Sequence, residues 1–93
     1  MEITYDPDKR AATLEHRNLD FEDAPRLFTG RHFQMDDDRR DYGETRWITV
    51  GHLGRTMVVV VWTPRGEPRR IISRRKCNAK ERQRYRARLD GTR

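Results

Sequence analysis

The apolar positions change their period along the chain. MVVVVWT (57–63) is an unbroken apolar run of strand length, the pattern of a central strand covered on both faces. TRWITVGHL (45–53), rich in β-branched and aromatic residues, reads as the strand before it. The HLGRT stretch that joins them is a hairpin turn, with Gly54 free to take a positive φ. RHFQMDD (31–37) is a weaker strand running into an acidic segment around Asp36 to Asp41. TPRGEP is a second turn, and RRIIS (69–73) the last strand. Strict alternation along that strand would point Arg70, Ile72 and Arg74 one way and Arg69, Ile71, Ser73 and Arg75 the other.

Helical spacing appears on either side of the strands. After a short strand, Ile3 to Tyr5, Asp6 is placed to cap a helix that Pro7 opens, because proline has no N–H to lose in the first turn. Ala11 and Leu14 are its expected core-facing residues, and Asn18 suits the left-handed position after its end. Phe21, Ala24, Leu27 and Phe28 mark a second helix that Gly30 stops. Capping by Asp20 would put Pro25 in the second turn, capping by Asp23 in the first, so this boundary stays open. Asn78 with Glu81 three residues on forms a capping box, and Tyr85 and Leu89 share one face of the helix that follows. The order is β-α-α-β-β-β-β-α. The expected fold is α+β: one antiparallel sheet of four to five strands, two N-terminal helices and one C-terminal helix, in a single domain over residues 1–93.

Charge sharpens this reading. Residues 1–68 carry 10 basic and 13 acidic side chains, whereas residues 69–93 carry 11 basic and 2 acidic. A concentrated positive block attracts nucleic acid or an acidic partner. A solvated basic tail has the same composition, but a capped helix after a strand argues for folded structure. No run approaches a membrane span and the N-terminus is no signal peptide, so a cytoplasmic protein is expected. Cys77 is the single cysteine and reads as a small buried residue. His16, His32 and His52 lack the spacing of a metal site, and Asp36, Asp37, Asp38 and Asp41 read as a turn balancing nearby arginines. No metal or other cofactor is expected.

Four ordered pieces, DPDKRAATLEHRNLDFEDA, DYGETRW, TMVVVVWTPRGE and RRIISRRKCNAKERQRY, resemble the BrnT family of bacterial toxins over nearly the whole chain. The resemblance implies a RelE/ParE-like fold and ribonuclease activity. It also implies an antitoxin partner, BrnA, which neutralises the toxin and carries the DNA-binding part that represses their operon. A toxin–antitoxin heterotetramer, formed through antitoxin dimerisation, is then expected, with operator DNA reached only through the antitoxin. Two positions depart from the family pattern. Arg74 stands where Ala or Met is usual, and Asn18 where Gly is usual.

RNA cleavage without a metal needs a base for the 2′-hydroxyl, positive charge for the transition state and an acid for the leaving oxygen. Arg46 and Arg75 match family positions and are the expected charge-stabilising pair, their strands converging them on one phosphate. Glu44 is a candidate base or an ion-pair partner that orients an arginine. Tyr85 is a candidate proton donor, weighed against a place at the core edge. Lys9, Arg70, Arg74, Lys76 and Arg82 are expected to contact the RNA backbone. The competing readings are a non-catalytic module that binds nucleic acid or protein, and a ParE-like toxin acting on gyrase.

Overall fold

The computed structural model describes residues 1–90. Five strands form one sheet in the order β1-β5-β4-β3-β2, with β1 Ile3–Tyr5, β2 His32–Asp36, β3 Trp47–Leu53, β4 Thr56–Pro64 and β5 Arg69–Lys76. Helices α1 (Pro7–Arg17), α2 (Ala24–Thr29) and α3 (Ala79–Leu89) complete the order, with a 3-10 turn at Phe21–Asp23 just before α2. The sheet is mixed rather than antiparallel. β2, β3, β4 and β5 pair antiparallel, but β1 lies parallel to β5 with Ile3 opposite Arg69 and Tyr5 opposite Ile71.

β4 is the middle strand and is covered on both faces, which is why its sequence shows no alternation. On one face Val58, Val60, Trp62 and Ile71 pack against Phe21, Ala24, Leu27 and Phe28. On the other, Val50, Met57, Val59 and Val61 pack under Tyr85, Leu89 and Cys77. Fully burying each such aliphatic side chain stabilises the fold by roughly 1.5–3 kcal/mol. Cys77 is buried, and burial pushes its thiol above the ordinary value.

The caps form where the side chains dictate. Asp6 accepts a hydrogen bond from Asp8 N, and Asn18 closes α1 at φ 56°. Asn78 and Glu81 bond reciprocally across the first turn of α3. The open boundary before Pro25 resolves into two pieces. Asp20 caps the 3-10 turn, and Pro25 then falls in the first turn of α2, where its missing N–H costs nothing.

Helix α1 does not bury its expected apolar stripe. None of its residues is buried, and Leu14 is 40% exposed. β1 pairs with β5 only as far as Ile71, and α1 runs beside the rest of that edge, where Arg17 Nη1 donates to Arg74 O at 3.3 Å.

Alternation along β5 is broken by a bulge. Val61 stands opposite Ser73 and Trp62 opposite Ile71, so Ile72 has no partner. The extra residue shifts every later side chain to the opposite face from that expected. Arg74 therefore shares the α2 face with Ile71, and Arg75 the α3 face with Ile72.

Candidate active site

Four of the candidate side chains meet at the end of the sheet. Lys9 of α1, Glu44 and Arg46 of the segment before β3, and Arg70 of β5 line one cleft, with Asp6, Arg65 and the bulged Ile72 completing its wall. The register explains the convergence of the two strand ends. Trp47 pairs with Trp62, and Trp62 with Ile71, so the residues just before Trp47 and Ile71 lie at the same level of the sheet. Those residues are Arg46 and Arg70. The cleft volume is about 160 Å³, below the roughly 300 Å³ of ordinary ligand sites and suited to a phosphate group rather than a whole nucleotide.

Arg46 is held on two sides. Its Nε donates to Glu44 Oε2 at 3.3 Å, and its guanidinium lies 3.9 Å from the centre of the Tyr42 ring. The other Glu44 oxygen faces Arg65 Nη2 at 3.1 Å. Asp37 N donates to Arg46 O at 2.9 Å, which ties the two ends of the 37–46 segment together. Within that segment Gly43 takes φ 71°, a conformation glycine adopts without strain, and its N–H donates to Asp41. Asp37 is buried and accepts two bonds from Arg39, whose guanidinium holds the carboxyl below its ordinary value. Of the acidic run, Asp37 balances an arginine and Asp41 closes a turn through the Gly43 N–H. Among the described residues no three His, Cys, Asp or Glu side chains are grouped to hold a metal ion.

Arg75 is not brought to Arg46. β3 and β5 are separated by β4, and Arg75 stands opposite Val59, five residues along β5 from Arg70. Its guanidinium donates two bonds to Glu81, at 2.7 and 2.8 Å. Hydrogen bonding to Glu81 raises the Arg75 pKa, and the same contact lowers Glu81 to about 2.

Arg74 is withdrawn from the surface. Only 5% of it is exposed, and Nη1 donates to Asp20 O and, at 2.9 Å, to Asp23 Oδ2. These bonds tie β5 to the 3-10 turn, and Arg74 does not line the cleft. Tyr85 is buried, and its ring meets Phe33 edge to face at 5.2 Å. It fills the core under α3 and does not line the cleft. Lys76 and Arg82 are exposed near the start of α3, and Arg82 donates to Cys77 O at 2.9 Å. Neither reaches the cleft.

Two polar residues of the cleft wall, and one residue that packs on Arg46, were not singled out as site residues by sequence. Arg65 sits in a stretch legible only as a turn, and Asp6 only as a helix cap. Tyr42 packs on Arg46, and the signal for it was an aromatic residue in the same DYGETRW piece.

The fold and cleft define a class, a small basic α+β protein that presents guanidinium groups to a phosphate-sized space. The chain belongs to the BrnT family: the family model described as the ribonuclease toxin, BrnT, of type II toxin–antitoxin systems matches residues 5–81. Membership makes it a toxin-family protein whose system pairs it with a protein antitoxin. No curated protein matches the chain. Among the described residues no helix is long and apolar enough to cross a membrane.

Proposed function

We propose that this toxin is a metal-independent endoribonuclease that cuts RNA at the Lys9–Arg46–Arg70 cleft and so inhibits translation and growth. The observation that carries the reading is the convergence of Arg46, Arg65, Arg70 and Lys9 with Glu44 on one phosphate-sized space. The family description, a ribonuclease toxin, agrees with that chemistry.

In this reading the scissile phosphate sits among the guanidinium groups, which stay charged and match phosphate oxygens in pairs. Glu44 takes the proton of the 2′-hydroxyl. Each of its oxygens faces an arginine but keeps a second lone pair for that proton. The 2′-oxygen attacks phosphorus, and Arg46 and Arg70 stabilise the added charge on the equatorial oxygens. The P–O5′ bond breaks, and Lys9 protonates the leaving oxygen. Lys9 is the cleft cation suited to this step, since arginine does not release its proton. The products are a 2′,3′-cyclic phosphate and a 5′-hydroxyl.

The fold is read as RelE-like within a single domain. The antitoxin is read as BrnA-like, with an acidic segment covering the cleft arginines, in a heterotetramer joined through the antitoxin. The toxin is read as cytoplasmic, where its proposed RNA target is found.

The test is incubation of the purified chain with RNA in excess EDTA, with both product ends mapped. Cyclic-phosphate and 5′-hydroxyl ends, absent with Arg46→Ala, support the proposal. Salt-sensitive binding without cleavage would make the protein a binding module, and gyrase poisoning without RNA cleavage would make it ParE-like.

A further inference from the structure

The cleft continues into a second chamber. Lys9 and Ile72 line both spaces, and beyond them the groove is bounded by Ala12, Thr13, His16 and Arg17 of α1 and by Ser73 of β5. Lys9, Ala12, Thr13 and His16 recur at helical spacing, so they form one stripe along the side of α1 that faces β5.

A surface helix ordinarily turns an apolar stripe to its sheet and buries it. α1 turns a stripe of small and polar residues, and none of them is buried. The helix is held in place by other means. Arg10 donates two bonds to Asp20, at 2.8 and 2.9 Å, and Arg17 bonds Arg74 O across β5. What remains between helix and strand is a groove of about 280 Å³, close to the lower end of ordinary ligand sites and larger than the phosphate-sized cleft.

We propose that this second chamber is a nucleotide subsite, which holds the residue of single-stranded RNA adjoining the scissile phosphate; it rests on the RNA-cleavage reading of the first cleft. Ile72 and Ala12 offer an apolar wall for a base or ribose. Thr13 and Ser73 offer hydroxyl donors and acceptors for its edge, and His16 and Arg17 stand where the next phosphate leaves. The bulge brings Ser73 to the same face as Ile72. Without the extra residue, strict alternation would carry Ile72 and Arg70 on one face and Ser73 on the other, and the groove floor would be broken. A duplex does not fit between a helix and a strand of the same small domain, so the occupant is single-stranded.

The test is NMR titration of the full-length chain with two probes, inorganic phosphate and a 2′-O-methyl RNA tetranucleotide that cannot be cleaved. Phosphate is expected to shift the amides of Lys9, Arg46 and Arg70. The tetranucleotide is expected to shift those and also Ala12, Thr13, His16, Ile72 and Ser73. Ala12→Phe, which fills the groove from an exposed helix position, should weaken the tetranucleotide about tenfold and leave phosphate within about twofold of wild type. His16→Ala should weaken the tetranucleotide in the same direction. Tetranucleotide shifts confined to Lys9, Arg46 and Arg70, with both variants binding as wild type does, would overturn the subsite and leave the first cleft standing. Absence of shifts at Lys9, Arg46 and Arg70 with either probe would overturn both.

Discussion

Arg75 is bound through two parallel hydrogen bonds to Glu81, the residue that also closes the capping box of α3. The carboxylate serves the last strand and the helix start together. An arginine engaged in this way holds α3 against β5, and it lies away from the cleft that gathers Lys9, Arg46 and Arg70.

Removing the Arg75 side chain should therefore cost stability. The pair is part exposed, with 42% of the Arg75 side chain open to solvent, so screening limits its worth to about 1 kcal/mol. Urea unfolding of Arg75→Ala is expected to show that loss with an unchanged slope. An unchanged midpoint would mean that the contact contributes nothing.

Acid should weaken the fold through two carboxylates. Glu81 is lowered from 4.5 to about 2 by Arg75, and Asp20 from 3.8 to about 2 by Arg10. Both folded-state values lie below the unfolded ones. The stabilisation is present above about pH 4.5 and is lost as pH falls towards 2. Urea midpoints measured across that range should decline, less steeply in high salt. A flat profile would show that these pairs do not persist in solution.

Arg74→Ala should be the more damaging of the two neighbouring substitutions. It removes a buried cation from the part-exposed Asp23 and from the Asp20 carbonyl, and losing such hydrogen bonds costs roughly 1–3 kcal/mol. Calorimetry should place its Tm well below that of Arg75→Ala, and RNA affinity of the folded variant should match wild type. A large loss of RNA affinity in a variant of normal Tm would return Arg74 to the RNA surface.

Lys9 separates charge from proton transfer. Lys9→Arg keeps the positive charge but cannot release a proton, so KM should stay close to wild type while kcat falls about 10²-fold or more. Equal kcat for the two proteins would assign Lys9 to phosphate binding alone.

Much of the fold was legible because the deciding interactions are local. Asp6 and Pro7, Asn18, Gly54 and the Asn78–Glu81 box each act within one turn of chain, and MVVVVWT announces a two-sided strand by its lack of alternation. The parallel pairing of β1 was not legible, since three residues carry no mark of the strand they will join. Nor was the bulge at Ile72, which depends on how β4 and β5 align and which decides the fates of Arg74 and Arg75. Of the candidate site, Lys9, Glu44, Arg46 and Arg70 were named from sequence and share the cleft. Arg65 escaped because a turn residue gains a role only when the sheet brings it to Glu44. Leu14 misled because α1 is fixed by the Arg10–Asp20 ion pair and by the Arg17 hydrogen bond to β5, not by an apolar stripe.

The central claim is that phosphate is held at the Arg46–Arg70 end of the sheet and not at Arg75. Single-turnover RNA cleavage by Arg70→Gln and Arg75→Gln, each confirmed as folded, tests it most directly. Arg70→Gln is expected to slow cleavage about 10²-fold or more, with Arg75→Gln close to wild type. Cleavage that survives Arg70→Gln and is lost with Arg75→Gln would contradict the account.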